Sequence, residues 1–417
     1  MSQSVHIVTP SFNSGAFLKE CLDSVVCKKT SYQLHHHILD NCSNDSTLAV
    51  ISQYRSKGAI LHFVSEKDKG PAAAINRGFR DALAAGATVI GWLNADDYYA
   101  PEAIARALQA FEDNPKLQFV YGHGRHIDLQ GNDLGAYPSL PPGRSLKNFL
   151  NGCFICQPTV FFRAEVLAKV GFLDETLQTA FDLDLWLRVF KAYKSNQISF
   201  INKVMAYSRL HEQCLTNRLR ETVAIESMQV IKKHIAPAPI HWVQTYFEEL
   251  CLKYPFIDDK KPLVDLVKQV LTKAKGLVDA DEFQKLVKAL EADYRLRFSN
   301  EQVSLQIESD GWVSKRLIVK LRYEKNQKRT VLLRCQGGWP SMGHIHLAIR
   351  ADDGSIEKVK LNSQDEFVLT LEAPATQLAA YAIWKIETRQ YFVPSQAQKP
   401  SKDHRQLSFR VDGLALQ

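Results

Sequence analysis

GWLNADDYYA, residues 91–100, continues an apolar run of strand type (Val89, Ile90, Trp92, Leu93) and then stops at Asn94, Asp96 and Asp97. A short apolar run bounded by polar residues fits a strand buried on both faces of a sheet. Its end delivers carboxylates to the rim, where open α/β sheets bind ligands. Adjacent acids repel unless a cation or hydrogen-bond donors compensate them, and hard oxygen donors suit Mg2+ or Mn2+ shared with a substrate phosphate. Acids are also common in solvated strand-end turns, so the surrounding chain decides what this pair means.

Working outward, residues 5–9 form an apolar strand running into TPSFN, and Asn13 or Ser14 can cap a helix whose Phe17, Leu18, Cys21, Leu22 and Val25 share a face. A second β-loop-α unit follows: strand 34–39, then DNCSNDST, then a helix capped near Asp45 or Ser46 and ended by Gly58. The histidines at 35–37 alternate across that strand, cannot converge on one metal, and read as structural. Strand 60–64 leads into SEKDKG, and Pro71 opens a helix with Ala74, Ile75, Gly78, Phe79, Ala82 and Leu83 as its buried stripe. After strand 89–93 come a helix from Pro101 and a strand at 117–121. This alternation predicts an α/β fold with a mainly parallel, doubly wound sheet and flanking helices. TPSFN, DNCSNDST, SEKDKG and NADD then open on one crevice.

The chain has 417 residues, 45% hydrophobic and 23% charged, which is globular material for two or three domains. It shows neither a leader pattern nor an apolar run of about 18 residues, so the expected compartment is the cytoplasm, with the inner face of a membrane as a variant. Eight cysteines without framework spacing fit reduced thiols, and Cys153 and Cys156 form a CxxC that lacks a second pair for zinc. A net charge of +7 from scattered basic residues suits phosphorylated ligands or an anionic membrane surface and matches no nucleic-acid module.

TPSFN (9–13), DNCSNDST (40–47), DKG…INRG (68–78) and WLNADD (92–97), followed in order by QPTVFFR (157–163), VGFLDE (170–175) and FDLDLWLR (181–188), resemble a family 2 glycosyltransferase of the GT-A fold over residues 4–215. The resemblance implies a nucleotide-sugar donor, bordered by Thr9, Pro10 and Asn13, with Asp40 on the base, Asp68 near base or ribose, and Asn76 on the donor side. It also implies Asp97 as the principal ligand of Mn2+ or Mg2+, Asp96 on ribose or metal, and Arg209 and His211 in a loop over the diphosphate, His211 as a further ligand. Ala73 stands where the family often has an acid, and Asn94 where its acidic triplet begins.

In FDLDLWLR the apolar residues Leu183, Trp186, Leu187 and Phe190 form a helical face, which puts Asp182 in the first turn. From position alone this is a capping acid. By resemblance it is the general base, with Phe181 replacing the usual preceding acid and Asp184 in reserve. Inverting transfer needs an acceptor hydroxyl to lose its proton while the departing diphosphate gathers charge. A carboxylate and a metal on opposite sides answer those demands. By resemblance the acceptor is a glycan or a lipid-linked saccharide. The competing reading is a non-catalytic sugar-recognition or assembly protein with a degenerate transferase domain, favoured by Ala73 and Phe181. His123 and His126 in YGHGRH could contact sugar, and a structural turn is the simpler reading.

Amphipathic runs at 221–235, 240–254 and 263–297 predict a helical connector. From Val303 the period becomes two, and eight short strands separated by turns predict an antiparallel β-sandwich. The expected division is 1–216, 217–300 and 301–417. The sandwich is a candidate for glycan binding through Trp312, Trp339 or Trp384, or for homo-oligomer formation, and the Lys-rich connector for peripheral membrane association; core packing is the simpler role for the tryptophans.

Overall fold

The computed structural model describes residues 3–25, 32–56, 61–142, 145–253, 263–293, 303–308, 310–322, 328–337, 344–351, 353–362, 365–373, 381–389 and 407–417. They divide into two units, 1–239 and 240–417. The helices between 217 and 300 are shared between these units rather than forming one of their own.

The first unit runs β1 (Gln3–Ser11), α1 (Leu18–Ser24), β2 (Tyr32–Asp40), α2 (Thr47–Ser56), β3 (Leu61–Ser65), α3 (Pro71–Ala84), β4 (Val89–Trp92), β5 (Tyr98–Tyr99), α4 (Ala103–Asp113), β6 (Phe119–Ile127), β7 (Asp133–Ala136), β8 (Phe161–Arg163), α5 (Glu165–Val170), α6 (Phe181–Ala192), β9 (Ile198–Arg209), α7 (Leu215–Arg218) and α8 (Arg220–His234). The sheet order is β3-β2-β1-β4-β8-β6-β9-β5, with β7 beside β6. β3, β2, β1 and β4 are parallel, as the β-α alternation predicts. The other half is mixed: β8 runs antiparallel to both β4 and β6, while β6 and β9 are parallel. The reason is the connection. The stretch between β6 and β8 contains no crossover α-helix, so the chain re-enters the sheet reversed.

After β1 the chain builds β2 and β3 on one side and then returns to lay β4 on the other. Such a reversal leaves a crevice at the carboxyl ends of the strands. α3 lies close over this half because position 78 is glycine: a Cβ there would stand 2.4 Å from Val8 Cγ1 and 2.8 Å from Leu39 Cδ2. Gly70, at φ 122, turns the chain into Pro71 at the helix start.

Several local expectations change. The first helix begins at Leu18 rather than at a side-chain cap on Asn13 or Ser14, and it is the Ser14 carbonyl that accepts from the Phe17 and Leu18 amides. His123 and His126 lie within β6 rather than in a turn. His35 and His37 share a face with His6 and His62, and the four rings stack at centroid distances of 4.3 to 5.3 Å, while His36 points the other way onto Thr9. Among the described residues no three His, Cys, Asp or Glu side chains converge as a metal site.

The second unit holds α9 (His241–Lys253), α10 (Leu263–Ala274), α11 (Ala280–Glu291), β10 (Val303–Gln306), β11 (Trp312–Val313), β12 (Arg316–Arg322), β13 (Arg329–Gly337), β14 (His344–Ala351), β15 (Ile356–Asn362), β16 (Glu366–Ala373), β17 (Tyr381–Thr388) and β18 (Phe409–Leu416). The run expected at 263–297 is broken at Gly276, whose φ is 81, and restarted by Asp279, whose carboxylate accepts from the amides of Asp281 and Glu282. A five-stranded sheet, β10-β12-β17-β14-β15, and a four-stranded one, β11-β18-β13-β16, are antiparallel and enclose a core that includes Trp384. Trp312 is half-buried, and Trp339 lies outside the described residues. No helix among the described residues is long and apolar enough to cross a membrane.

Candidate active site

The loops that leave β1, β2 and β3 are stitched together at the crevice. The Asn13 amide donates to Ser43 Oγ at 2.8 Å, and Asn13 Oδ1 accepts from the Asn44 amide at 3.0 Å. Asn13 manages this in a left-handed conformation, φ 49, which asparagine tolerates better than most residues. The Asp68 amide donates to Asn41 Oδ1 at 3.0 Å, which joins DNCSNDST to SEKDKG. Asp40, 2% exposed at the end of β2, accepts from the Ser43 amide and hydroxyl and, at 2.6 Å, from Ser65 Oγ. Neutral donors therefore hold its carboxylate at the rim. Asp68 is pushed above the usual carboxylate range by burial, with the charge of Asp40 adding to the effect.

The acid pair after β4 is set by a second network. Asn94 receives a bond from Trp92 Nε1 at 2.9 Å, donates to Gln157 at 3.1 Å, and reaches Asp97 Oδ2 at 3.3 Å. Asp97 Oδ1 accepts from the Arg209 amide at 2.9 Å. Asp97 is 3% exposed, and burial together with neighbouring Asp96 drives its carboxyl well above the ordinary range. Asp96 is the more open of the two and meets His211 Nε2 at 3.1 Å. Asp96, Asp97 and His211 are the expected metal ligands, but among the described residues their side chains do not converge as a three-donor site; His211 instead pairs with Asp96, and Asp97 is tied to Asn94 and the Arg209 amide.

Asp182 occupies the first turn of α6. Trp92 stacks on Phe181 with centroids 5.7 Å apart, which ties the end of β4 to the start of α6. The buried Cys156 thiol is pushed up by burial and by the charges of both Asp97 and Asp182, so it lies near both acids. Asp182 is half-buried, accepts from the Leu183 amide at 2.7 Å, and is raised by burial to about 6. Burial pushes the Cys153 thiol up to about 12, and with Cys156 raised as well the CxxC is protonated and structural. The described cysteines are all free thiols.

Three expected site residues are turned away from the crevice. Thr9 is fully buried with its hydroxyl on His36 Nε2 at 2.8 Å. Asn76 is committed at both ends of its amide: it accepts from the Leu173 amide at 2.9 Å and donates to the Leu173 carbonyl and to Glu175. The Arg209 guanidinium donates to the carbonyls of Asp96, Asp128 and Leu129 and to Glu20 at 2.5 Å, packed over Phe17. In this arrangement it braces the acid loop rather than a diphosphate. Pro10 stays half-buried at the end of β1.

Asp184, the reserve acid, is a different object. It is 1% exposed, its pKa is held far below the ordinary range despite burial by His234, Arg188 and Lys233, and it bonds the first two at 2.8 Å. Sequence reading missed Glu226 of α8, whose carboxylate accepts from the amides of Gln178, Thr179 and Ala180 at 2.8, 2.7 and 3.1 Å and from the Thr179 hydroxyl. It holds the entry into α6. No motif marks it, because its partners lie 46 to 48 positions away. Tyr137, whose hydroxyl donates to the Cys153 carbonyl at 2.7 Å and which feels the charge of Asp182, was also missed.

Several known proteins resemble part of this chain. Escherichia coli chondroitin synthase is 28% identical over 207 residues, covering 50% of this chain and 29% of that protein. The O-antigen biosynthesis protein RfbC of Myxococcus xanthus is 28% identical over 292 residues, 65% of this chain and 22% of that one. The chain therefore spans less than a third of either relative. Among solved structures, S. aureus TarS 1-349 in complex with UDP-GlcNAc aligns with 78% of this chain and 98% of that one, at 15% identity and a TM-score of 0.46. Residues 6–171 match the model of glycosyl transferase family 2, and with the sheet and crevice described above the N-terminal unit belongs to that family of glycosyltransferases.

Proposed function

We propose that the chain is a metal-dependent, inverting glycosyltransferase that moves a sugar from a nucleotide-sugar donor to a glycan or lipid-linked saccharide. The observation that supports this reading is that two unlike acids, Asp97 beside Asp96 and Asp182 lifted to about 6, both act on the same buried thiol, Cys156. Asp40, with Asn13 and Asp68 beside it, suits recognition of the base and ribose. Asp96 and Asp97, with His211 beside Asp96, are the residues that would hold Mn2+ or Mg2+ once drawn together. The ion's contribution when bound is to offset charge on the departing diphosphate.

Asp182 takes the proton from the acceptor hydroxyl, whose oxygen bonds to the anomeric carbon as the bond to the diphosphate breaks, releasing a nucleoside diphosphate. A carboxylate poised near 6 is ionised at neutral pH yet basic enough to accept that proton. Phe181, stacked on Trp92, fixes the ring contact that orients this turn. The relatives' names, chondroitin synthase and O-antigen biosynthesis protein, support a growing polysaccharide as acceptor.

The test separates the two sides. Asp97→Ala should abolish Mn2+-dependent donor binding in a thermal-shift screen of UDP-, GDP- and dTDP-sugars, whereas Asp182→Asn should bind donor normally and lose transfer. Full turnover by either variant would count against the assignment, and donor binding without any turnover by the unmodified chain would favour a sugar-recognition protein.

A further inference from the structure

The second unit contains a cavity of about 890 Å3 that the transfer chemistry does not use. Its floor is the outer face of the five-stranded sheet. On β12 and β14 the inward positions Leu317, Val319, Ile345, Leu347 and Ile349 build the core, so Arg316 and Arg350 project outward by strand alternation. Lys358 and Lys360 do the same on β15, exposed beside half-buried Val359. α9 contributes Glu248 and Cys251 to the wall, and half-buried Trp312 of β11 closes one end.

The lining is unbalanced in charge. Six Lys and Arg side chains face three glutamates among the described residues. Of those glutamates, Glu387 is already taken by two guanidiniums, Arg316 at 3.1 Å and Arg350 at 3.5 Å. Lys358 and Lys360 have no acidic partner among the described residues. Cationic side chains gathered in a concave site concentrate field on whatever enters. Arg316 and Arg350 converging on a carboxylate show the geometry of recognition the floor offers, since guanidinium forks match carboxylates. The indole at the end supplies an apolar platform beside the charge. The volume is near the upper end for small-molecule pockets, enough for several linked rings rather than a lone anion.

We propose that this cavity binds a carboxylate-bearing saccharide chain, with Lys358 and Lys360 on the carboxylates and Trp312 on a sugar face. Binding there requires neither the donor nor the transfer step, so it stands apart from the reaction assigned to the N-terminal unit. Titration calorimetry with the full chain tests it, using a hexamer of oligogalacturonate, the same hexamer fully methyl-esterified, and a short polyphosphate of equal charge. The acid hexamer should bind saturably, and the esterified form at least about tenfold more weakly. Lys358→Ala with Lys360→Ala should weaken the acid hexamer by at least about tenfold, and Trp312→Ala by about fivefold at raised salt, where screening leaves the apolar contact. The lysines are exposed, so the double variant should keep the parent melting temperature, which separates lost binding from lost folding. Absence of saturable binding by the acid hexamer, equal binding of polyphosphate, or insensitivity to all three substitutions would overturn the proposal.

Discussion

Asp182 and Asp184 sit two positions apart in one helical turn, yet their surroundings drive them in opposite directions. Asp184 faces α8, whose Lys233 and His234 join Arg188 of its own helix around it, and its carboxylate is kept charged far into acid. At Asp182 burial acts with no cation against it, and its pKa rises to about 6. The same residue type in the same secondary structure thus serves as an anchor in one place and, in the proposed reaction, as the base in the other. What separates them is charge compensation: the stability of a buried carboxylate comes from its partners, and its basicity comes from lacking them.

The largest effect should come from Asp182→Asn. Removing a general base typically costs about 10²- to 10⁴-fold in rate, so turnover should fall by that range with donor affinity unchanged. Stability should move the other way. Asp182 has a folded pKa above the unfolded value of 3.8, so its ionised form is disfavoured in the fold. The favourable contribution present below 3.8 is lost as pH rises through 6, leaving a penalty of at most about 3 kcal/mol at neutral pH. Asparagine escapes it, and urea melts at pH 7.5 should register a gain of about 1 kcal/mol. For the unmodified chain, kcat should drop about tenfold per pH unit below about 6 as this carboxylate protonates. A flat acid limb would break the comparison.

Asp184→Ala tests the other face. It strands Arg188 and His234 without their carboxylate, and losing one partner of a buried ion pair costs about 3 to 5 kcal/mol. Because the folded pKa of Asp184 is depressed, its stabilisation is present above the unfolded value and fades as pH falls through the folded one. The variant's deficit in urea melts should therefore be full at pH 7 and shrink in strong acid. Any loss of turnover should track the loss of folded protein. An active-site defect in a fully folded Asp184→Ala chain would mean that the two acids share one role.

Much of the first unit was legible because short apolar strands and capped helices alternate with polar loops, and parallel connection forces those loops onto one edge. The antiparallel entry of β8 was not, since three residues of strand carry too little period to reveal direction. Side-chain aim was least legible. Thr9, Asn76 and Arg209 stand in motif positions, and only their partners, His36, Leu173 and the Asp128 and Leu129 carbonyls, reveal that they face inward. In the second unit the two-residue strand β11 escaped a reading that found the longer strands, for the same reason of length.

Glu226 offers the finest test of what sets Asp182 apart. Three amides just before α6 and the Thr179 hydroxyl converge on its carboxylate, so the turn that carries Asp182 hangs on a residue from another helix. An anion at a helix start also complements the dipole. Glu226→Gln keeps the length and one acceptor oxygen but puts an amide donor where the second acceptor oxygen was, so at least one N–H loses its partner. The cost should be about 1 to 2 kcal/mol in urea melts. If Glu226 acts by holding the turn, kcat should fall by several-fold with donor affinity unchanged, and the acid limb should stay near 6, because the burial that lifts Asp182 is untouched. Should the limb move by a full pH unit instead, Glu226 would be setting the charge of the crevice directly, and the contrast between the two faces of α6 would have to include it.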